Sequence, residues 1–195
     1  MSRPLSEEKR RALLEAALDL FAVQGVHATP TQQISRRAGV SEGTLFRYFR
    51  TKEDLVETVQ ASVLRSIADE VQGAIRPGTP VDEQIRAVKR RVLAWMFANP
   101  KQSLLFEQAL TMPGTVENLR KRALLPIPGL DDLFGRAKAR GLFPGVGREV
   151  FLAHFWYPNF MLVHLHALGG LQEEIEVVID QAVRMMWSGL VAGRE

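Results

Sequence analysis

The chain has 195 residues, enough for one large domain or a small domain fused to a larger one, and 46% of them are hydrophobic, so a real core can form. A charged fraction of 24% is ordinary for a globular chain and too low for a disordered one, and the absence of cysteine excludes a disulfide framework and any thiolate metal site. The net charge of +3 is weak evidence by itself for an anionic partner.

The N-terminus turns charged at once and has no apolar signal core, and no run approaches the roughly eighteen apolar residues that span a bilayer. The expectation is a soluble, cytoplasmic protein without a membrane partner. Gly and Pro divide the chain into helical lengths, and almost no stretch alternates as a strand does, so the chain reads as all-α. The first helix is predicted to begin after Ser6, with Glu7 and Glu8 in its first turn, and to end near Gly25; Leu14, Ala17, Leu18 and Phe21 supply its inward stripe. Thr29, Pro30 and Gln32 read as a capping box for a second helix, with Thr29 as N-cap and Pro30 at the first helical position. That helix turns Ile34 and Ala38 inward and stops at Gly39.

Ser41 is predicted to cap a third helix from Glu42 to Tyr48 or Phe49, and Thr51 a fourth reaching about Ala74, with Val56, Val59, Val63 and Ile67 as its buried stripe. Pro77-Gly78-Thr79-Pro80 breaks it. Ile85, Val88, Val92 and Trp95 or Met96 then mark a helix closed by Asn99-Pro100. Further helices are expected over 102–110, 115–125 and 130–140, and two strong ones over 148–168 and 173–191.

Two short helices joined by Gly39-Val40-Ser41 describe a helix-turn-helix. Gly39 supplies the positive φ of a sharp turn, Ala38 lets the helices approach, and Ile34, Val40 and Leu45 form a small core between them. Glu42, Gly43, Thr44 and Arg47 are then left to face a major groove. From Thr31 to Lys52 there are five basic residues (Arg36, Arg37, Arg47, Arg50 and Lys52) against the single acid Glu42. Such an excess suits phosphates, and equally describes a solvated helix face.

At this point the chain resembles a known family. Residues 10–55 are similar to the DNA-binding segment of the TetR family of repressors. The matching residues are Ala16-Ala17, Leu20-Phe21, Gly25, Thr29, Ile34, Ala38-Gly39-Val40-Ser41, Gly43-Thr44-Leu45, Tyr48-Phe49, Lys52-Glu53 and Leu55. The resemblance implies an all-α fold of about nine helices: an N-terminal three-helix DNA-binding domain over 1–52, linked to a larger helical ligand-binding and dimerisation domain over 53–195. It implies DNA contacts from Thr31, Gln32, Arg36, Ser41, Glu42, Gly43, Thr44, Phe46, Arg47, Tyr48 and Lys52, with Lys52 meeting a phosphate at the start of the fourth helix. Arg36 and Arg37 either reach phosphates or are simply solvated. Phe46 replaces the usual tyrosine and removes a hydroxyl contact. Ser35 replaces the usual alanine, and its hydroxyl is expected to bond back to a helical carbonyl.

In the C-terminal part, Ile175, Val178, Ile179, Ala182, Met185 and Met186 share one face of the last helix, and Phe151 and Leu162 belong to the helix before it. These are the candidate homodimer seam; an internal core face is the other reading. Trp95, Phe106, Leu110, Phe134, Phe155, Trp156 and Phe160 are candidate walls of an apolar ligand pocket, although most of them also suit plain core. Pro158 either opens space beside that pocket or merely curves its helix. His154, His164 and His166 do not form a metal site: at about 100° per residue the last two point roughly 160° apart, and no pair is spaced i, i+4. No cofactor and no catalytic residue is expected, because no nucleophile–base pair, phosphate loop or paired carboxylate is present. The function expected is a transcriptional repressor that binds a palindromic double-stranded DNA operator as a dimer and is released by a small, mostly apolar effector. The alternative is a helical scaffold without sequence-specific DNA recognition.

Overall fold

The computed structural model describes residues 6–111, 117, 127 and 129–191, and every regular element among them is a helix. In chain order these are α1 (Glu7–Gln24), α2 (Thr31–Arg37), α3 (Glu42–Tyr48), α4 (Lys52–Ala74), α5 (Val81–Ala98), α6 (Pro100–Thr111), α7 (Leu130–Ala139), α8 (Arg148–Ala167) and α9 (Ile175–Val191). The helix expected over 115–125 lies outside the described residues apart from Glu117, which is helical.

Local chemistry sets most of the boundaries. Ser6 caps α1 by accepting from the Lys9 N–H, and Thr51 caps α4 by accepting from the Asp54 N–H at 3.1 Å. The expected capping box at α2 is displaced by one residue. The Thr29 side chain is fully buried, and its hydroxyl donates to the Gly25 carbonyl at 2.8 Å instead of capping. Pro30 becomes the N-cap, and its carbonyl accepts from Gln33 at 3.0 Å. The inward face of α1 is also rotated from expectation: Leu13, Ala16, Ala17, Leu20 and Phe21 are buried, whereas Leu14 and Leu18 are only partly so. The reason is that α1 is packed on several sides, by α2, α4 and α6.

One apolar core runs from Leu13 through α4 and α5 to Leu190, so α4 is shared between the N-terminal three helices and everything after it. Ion pairs tie the later helices together, with Arg148 bidentate on Asp131 at 2.7 and 2.9 Å (α8 to α7) and Arg90 on Asp180 (α5 to α9).

The expected seam between subunits is largely inside the protomer. Phe151, Val178, Ile179 and Met186 are buried, Ile175, Leu162 and Ala182 are half-buried, and of the named set only Met185 is exposed. Periodicity shows that a helix has an apolar face but not which neighbour covers it; here α5 and α8 cover that of α9. A different apolar stripe remains open on α8. Val150, Tyr157, Met161 (62% exposed), Leu165 and Leu168 (82%) fall within a narrow arc at 100° per residue.

Among the expected pocket walls, Phe106, Phe155, Trp156 and Phe160 pack on one another, and Phe151, 6.0 Å from Phe155, continues the ring contacts. Phe106 lies edge-on to Trp156 at 5.2 Å and to Phe160 at 5.6 Å, and Phe155 to Trp156 at 4.9 Å. Phe134 lies at the far end of these contacts, 4.9 Å from Phe151. Trp95, Leu110 and Phe134 are half-buried and the other four are buried.

Candidate nucleic-acid interface

The turn between α2 and α3 is a Schellman motif. Gly39 has φ 69°, its N–H donates to the Arg36 carbonyl at 3.2 Å, and the Val40 N–H reaches back to Ser35 at 3.0 Å. A side chain at position 39 would strain that left-handed backbone. Ser35 is buried and its hydroxyl donates to the Gln32 carbonyl at 3.0 Å, as its replacement of alanine led one to expect. Ser41 then starts α3: its hydroxyl oxygen accepts from the Thr44 N–H at 3.2 Å and lies 2.9 Å from the Thr44 hydroxyl.

Leu45 alone of α3 is fully buried, joining Ile34 in the core beneath the turn. Ser41, Gly43, Phe46 and Arg47 are exposed, and Glu42, Thr44 and Tyr48 are half-buried. The open side of α3 is therefore the side assigned from sequence to the groove. Thr31 and Glu42 are held together, the Thr31 hydroxyl donating to the Glu42 carboxylate at 2.6 Å, which clamps α2 to α3 at their N-terminal ends. Tyr48 has an inward task besides any outward one, since its hydroxyl oxygen accepts from the Ser6 N–H at 2.7 Å. Gln32 and Arg36 are exposed on α2.

Arg37 is turned away from that side. It pairs with Asp19 of α1 at 2.6 Å, and Lys101 of α6 reaches the other oxygen of the same carboxylate at 2.6 Å. The hydrogen bond from Lys101, and after it that from Arg37, hold the Asp19 carboxyl below its ordinary range against the opposing effect of partial burial. Asp19 thereby joins α1 and α2 to the first turn of α6. The sequence reading did not include this junction, because three charges distant in the chain carry no common pattern. Lys52 opens α4 with its ammonium 3.4 Å from the His27 carbonyl.

The three histidines of α8 have separate surroundings. His164 bonds Glu107 of α6 at 2.7 Å, His166 lies edge-on to Phe97 at 5.4 Å, and His154 packs beside Gly189 of α9. Lys89 was also missed. It is buried on α5, donating to the Phe155 carbonyl at 2.6 Å and to the Asn159 side chain, on either side of Pro158. It sits at i+4 from Ile85 and i−3 from Val92, so a cation inside an apolar stripe was the available signal.

Residues 13–59 match the family model described as bacterial regulatory proteins, tetR family. The chain is 36% identical over 85 residues to the HTH-type transcriptional regulator HbdR of Aromatoleum sp. (strain CIB), covering 43% of this chain and 37% of that protein. It is 39% identical over 90 residues to the HTH-type transcriptional repressor Rv3405c of Mycobacterium tuberculosis (strain ATCC 25618 / H37Rv), covering 45% and 46%. The matches thus span less than half the length of these two relatives. The likeness of fold extends further: a TetR family transcription regulator from Marinobacter aquaeolei VT8 superposes with a TM-score of 0.80 at 23% identity, covering 94% of this chain and 96% of that one.

Proposed function

The chain belongs to the TetR family of bacterial regulatory proteins, and from that premise we propose that it is a transcriptional repressor, a binding protein and not an enzyme, that grips a palindromic operator as a homodimer in the cytoplasm. The observation that carries this reading is α3, anchored through Leu45 and capped by Ser41, with Gly43, Phe46 and Arg47 open to a groove. Residues 1–52 act as the reading head and 53–195 as the regulatory and dimerising part.

The proposed dimer surface is the open stripe of α8 with Met185 of α9, an exposed apolar face of the kind that single soluble chains seldom leave uncovered. Met161→Arg sets two like charges at such a twofold contact. Sedimentation should then show a protomer–dimer equilibrium shifted at least about tenfold towards protomer; an undiminished dimer places the contact elsewhere.

The effector is proposed to be small and mostly apolar, parting the rings of Phe106, Phe155, Trp156 and Phe160, with Trp95, Leu110 and Phe134 at the margin. Two connections to the head support coupling: α4, which starts at Lys52, and the Lys101–Asp19–Arg37 junction. Coupling of this kind is commonly worth about 1–3 kcal/mol.

Selection of genomic binding sites, followed by gel shift, tests the proposal. A palindrome should be bound in preference to random DNA at equal salt; equal affinity for both favours the scaffold alternative. Thr44→Ala and Lys52→Ala should weaken operator binding without unfolding the chain, and loss of the Lys52 ammonium should lower the salt slope by about one per protomer, about two for the dimer. An unchanged slope removes the phosphate contact assigned to Lys52.

A further inference from the structure

A polar concavity lies far from the reading head, where α4 gives way to α5. The 75–80 connection walls one side and α7 the other, and the cleft encloses about 470 Å³. Three guanidinium side chains line it: Arg76 from the connection, Arg136 from α7, and Arg140, the residue that caps the C-terminal end of α7. The lining holds one carboxylate, Asp132, and it pairs with Arg136 at 2.9 Å. Three positive charges against one negative leave an excess of two. Neither Arg76 nor Arg140 has an acidic partner among the described residues. Arg136 and Arg140 are four apart across the C-terminal end of α7, a like-charge spacing that an anion between them would relieve.

Gln84 makes the cleft a built feature. It is buried on α5, and its amide nitrogen donates to the carbonyls of Arg76 at 3.1 Å and Thr79 at 2.6 Å. Its amide oxygen accepts from Arg136 at 3.0 Å, so one side chain holds both walls. Pro77 and Pro80 restrict the connection further, which lowers the ordering cost of a ligand.

Guanidinium forks match the oxygens of a phosphate in geometry and charge. We propose that this cleft binds the phosphate group of a small ligand, as the free ion or as part of a phosphate ester or diphosphate. Its volume falls within the usual range for small-molecule sites and leaves room for more than one phosphate. The cleft also abuts the end of α4, whose 23 residues span about 34 Å from Lys52 to Ala74. A ligand drawing α7 against the connection therefore acts on the far end of the helix that begins in the reading head. That coupling rests on the operator-binding proposal; the binding itself does not.

Titration calorimetry on the full chain without DNA, using inorganic phosphate, pyrophosphate and ADP in chloride buffer of matched ionic strength, tests the site. Pyrophosphate should bind once per protomer, and the double variant Arg76→Gln/Arg140→Gln, in which both changed residues are exposed, should bind it at least about tenfold more weakly at an unchanged melting midpoint. Equal binding of all three probes identifies the free ion as occupant, and tighter ADP binding identifies a phosphate ester. No binding beyond the chloride control, or binding that survives the double variant, overturns the site. So does binding abolished by Lys52→Ala, which would put the anion on the reading head. Gel shift with pyrophosphate then reads the coupling, and an unchanged operator affinity at saturation overturns the coupling alone.

Discussion

Replacing Lys89 by methionine is expected to flatten the pH dependence of stability and to make the protein more stable on the acid side of neutrality. Lys89 is 1% exposed, and among the described residues its ammonium meets only a backbone carbonyl, an amide oxygen and the Phe155 ring at 5.1 Å. Burial alone pushes its pKa down from the ordinary 10.5 to about 7. Between those two values the unfolded chain holds a proton that the folded chain has shed, so stability rises with pH across that window. Below about pH 7 both states hold the proton, and the folded state bears the full penalty of a buried charge, on the order of a few kcal/mol. Methionine keeps the length and apolar bulk, but leaves the Phe155 carbonyl and the Asn159 oxygen without their donor, at about 1–3 kcal/mol each. The two stability curves should therefore converge or cross as pH rises from about 6 to about 10, the wild type gaining on the variant. Denaturant midpoints measured across that range check this, and a constant offset between the two curves would show that Lys89 does not titrate differently in the folded chain.

Gly43→Asp should nearly abolish operator binding while leaving the fold intact. Gly43 is exposed in the first turn of α3, and a Cβ built there meets nothing within 4 Å. Glycine inside a helix costs about 0.5–1 kcal/mol relative to alanine, and a carboxylate suits a helix N-terminus, so the variant's melting midpoint should hold or rise. The same carboxylate would face phosphates and base edges in a closed interface. An unpaired like charge there costs about 3 kcal/mol per head, a loss on the order of 100-fold for each half-site. Gly43→Ala, which adds bulk without charge, separates repulsion from crowding. Full affinity in the aspartate variant would mean that this face of α3 does not meet DNA.

Much of the N-terminal arrangement was legible because its signals are local. Ser6, Ser41 and Thr51 cap helices from neighbouring positions, and Gly39 ends α2 by a conformation that its own backbone permits. The two departures there, the one-residue displacement at Thr29 and the rotated face of α1, arise where a distant partner competes with a local rule. The Thr29 hydroxyl found the Gly25 carbonyl, and α1 is packed on more sides than one stripe can describe. Farther along, periodicity identified the helices among the described residues but could not assign their faces. Val178, Ile179 and Met186 read equally well as a seam between subunits or as core, and the packing of α5 and α8 against α9 decided for core.

The amino-acid sequence thus determined by itself which stretches are helical, where the short ones stop, and that the third presents small and polar residues around a single buried leucine, because capping, turn conformation and the 3.6-residue period act within a few positions. Only the tertiary structure decided that Lys89 is buried against the Phe155 carbonyl and the Asn159 side chain, that Asp19 joins the head to α6, and that Arg76, Arg136 and Arg140 surround one cleft. Each of these unites residues far apart in the chain, and burial and charge balance depend on which distant surfaces meet.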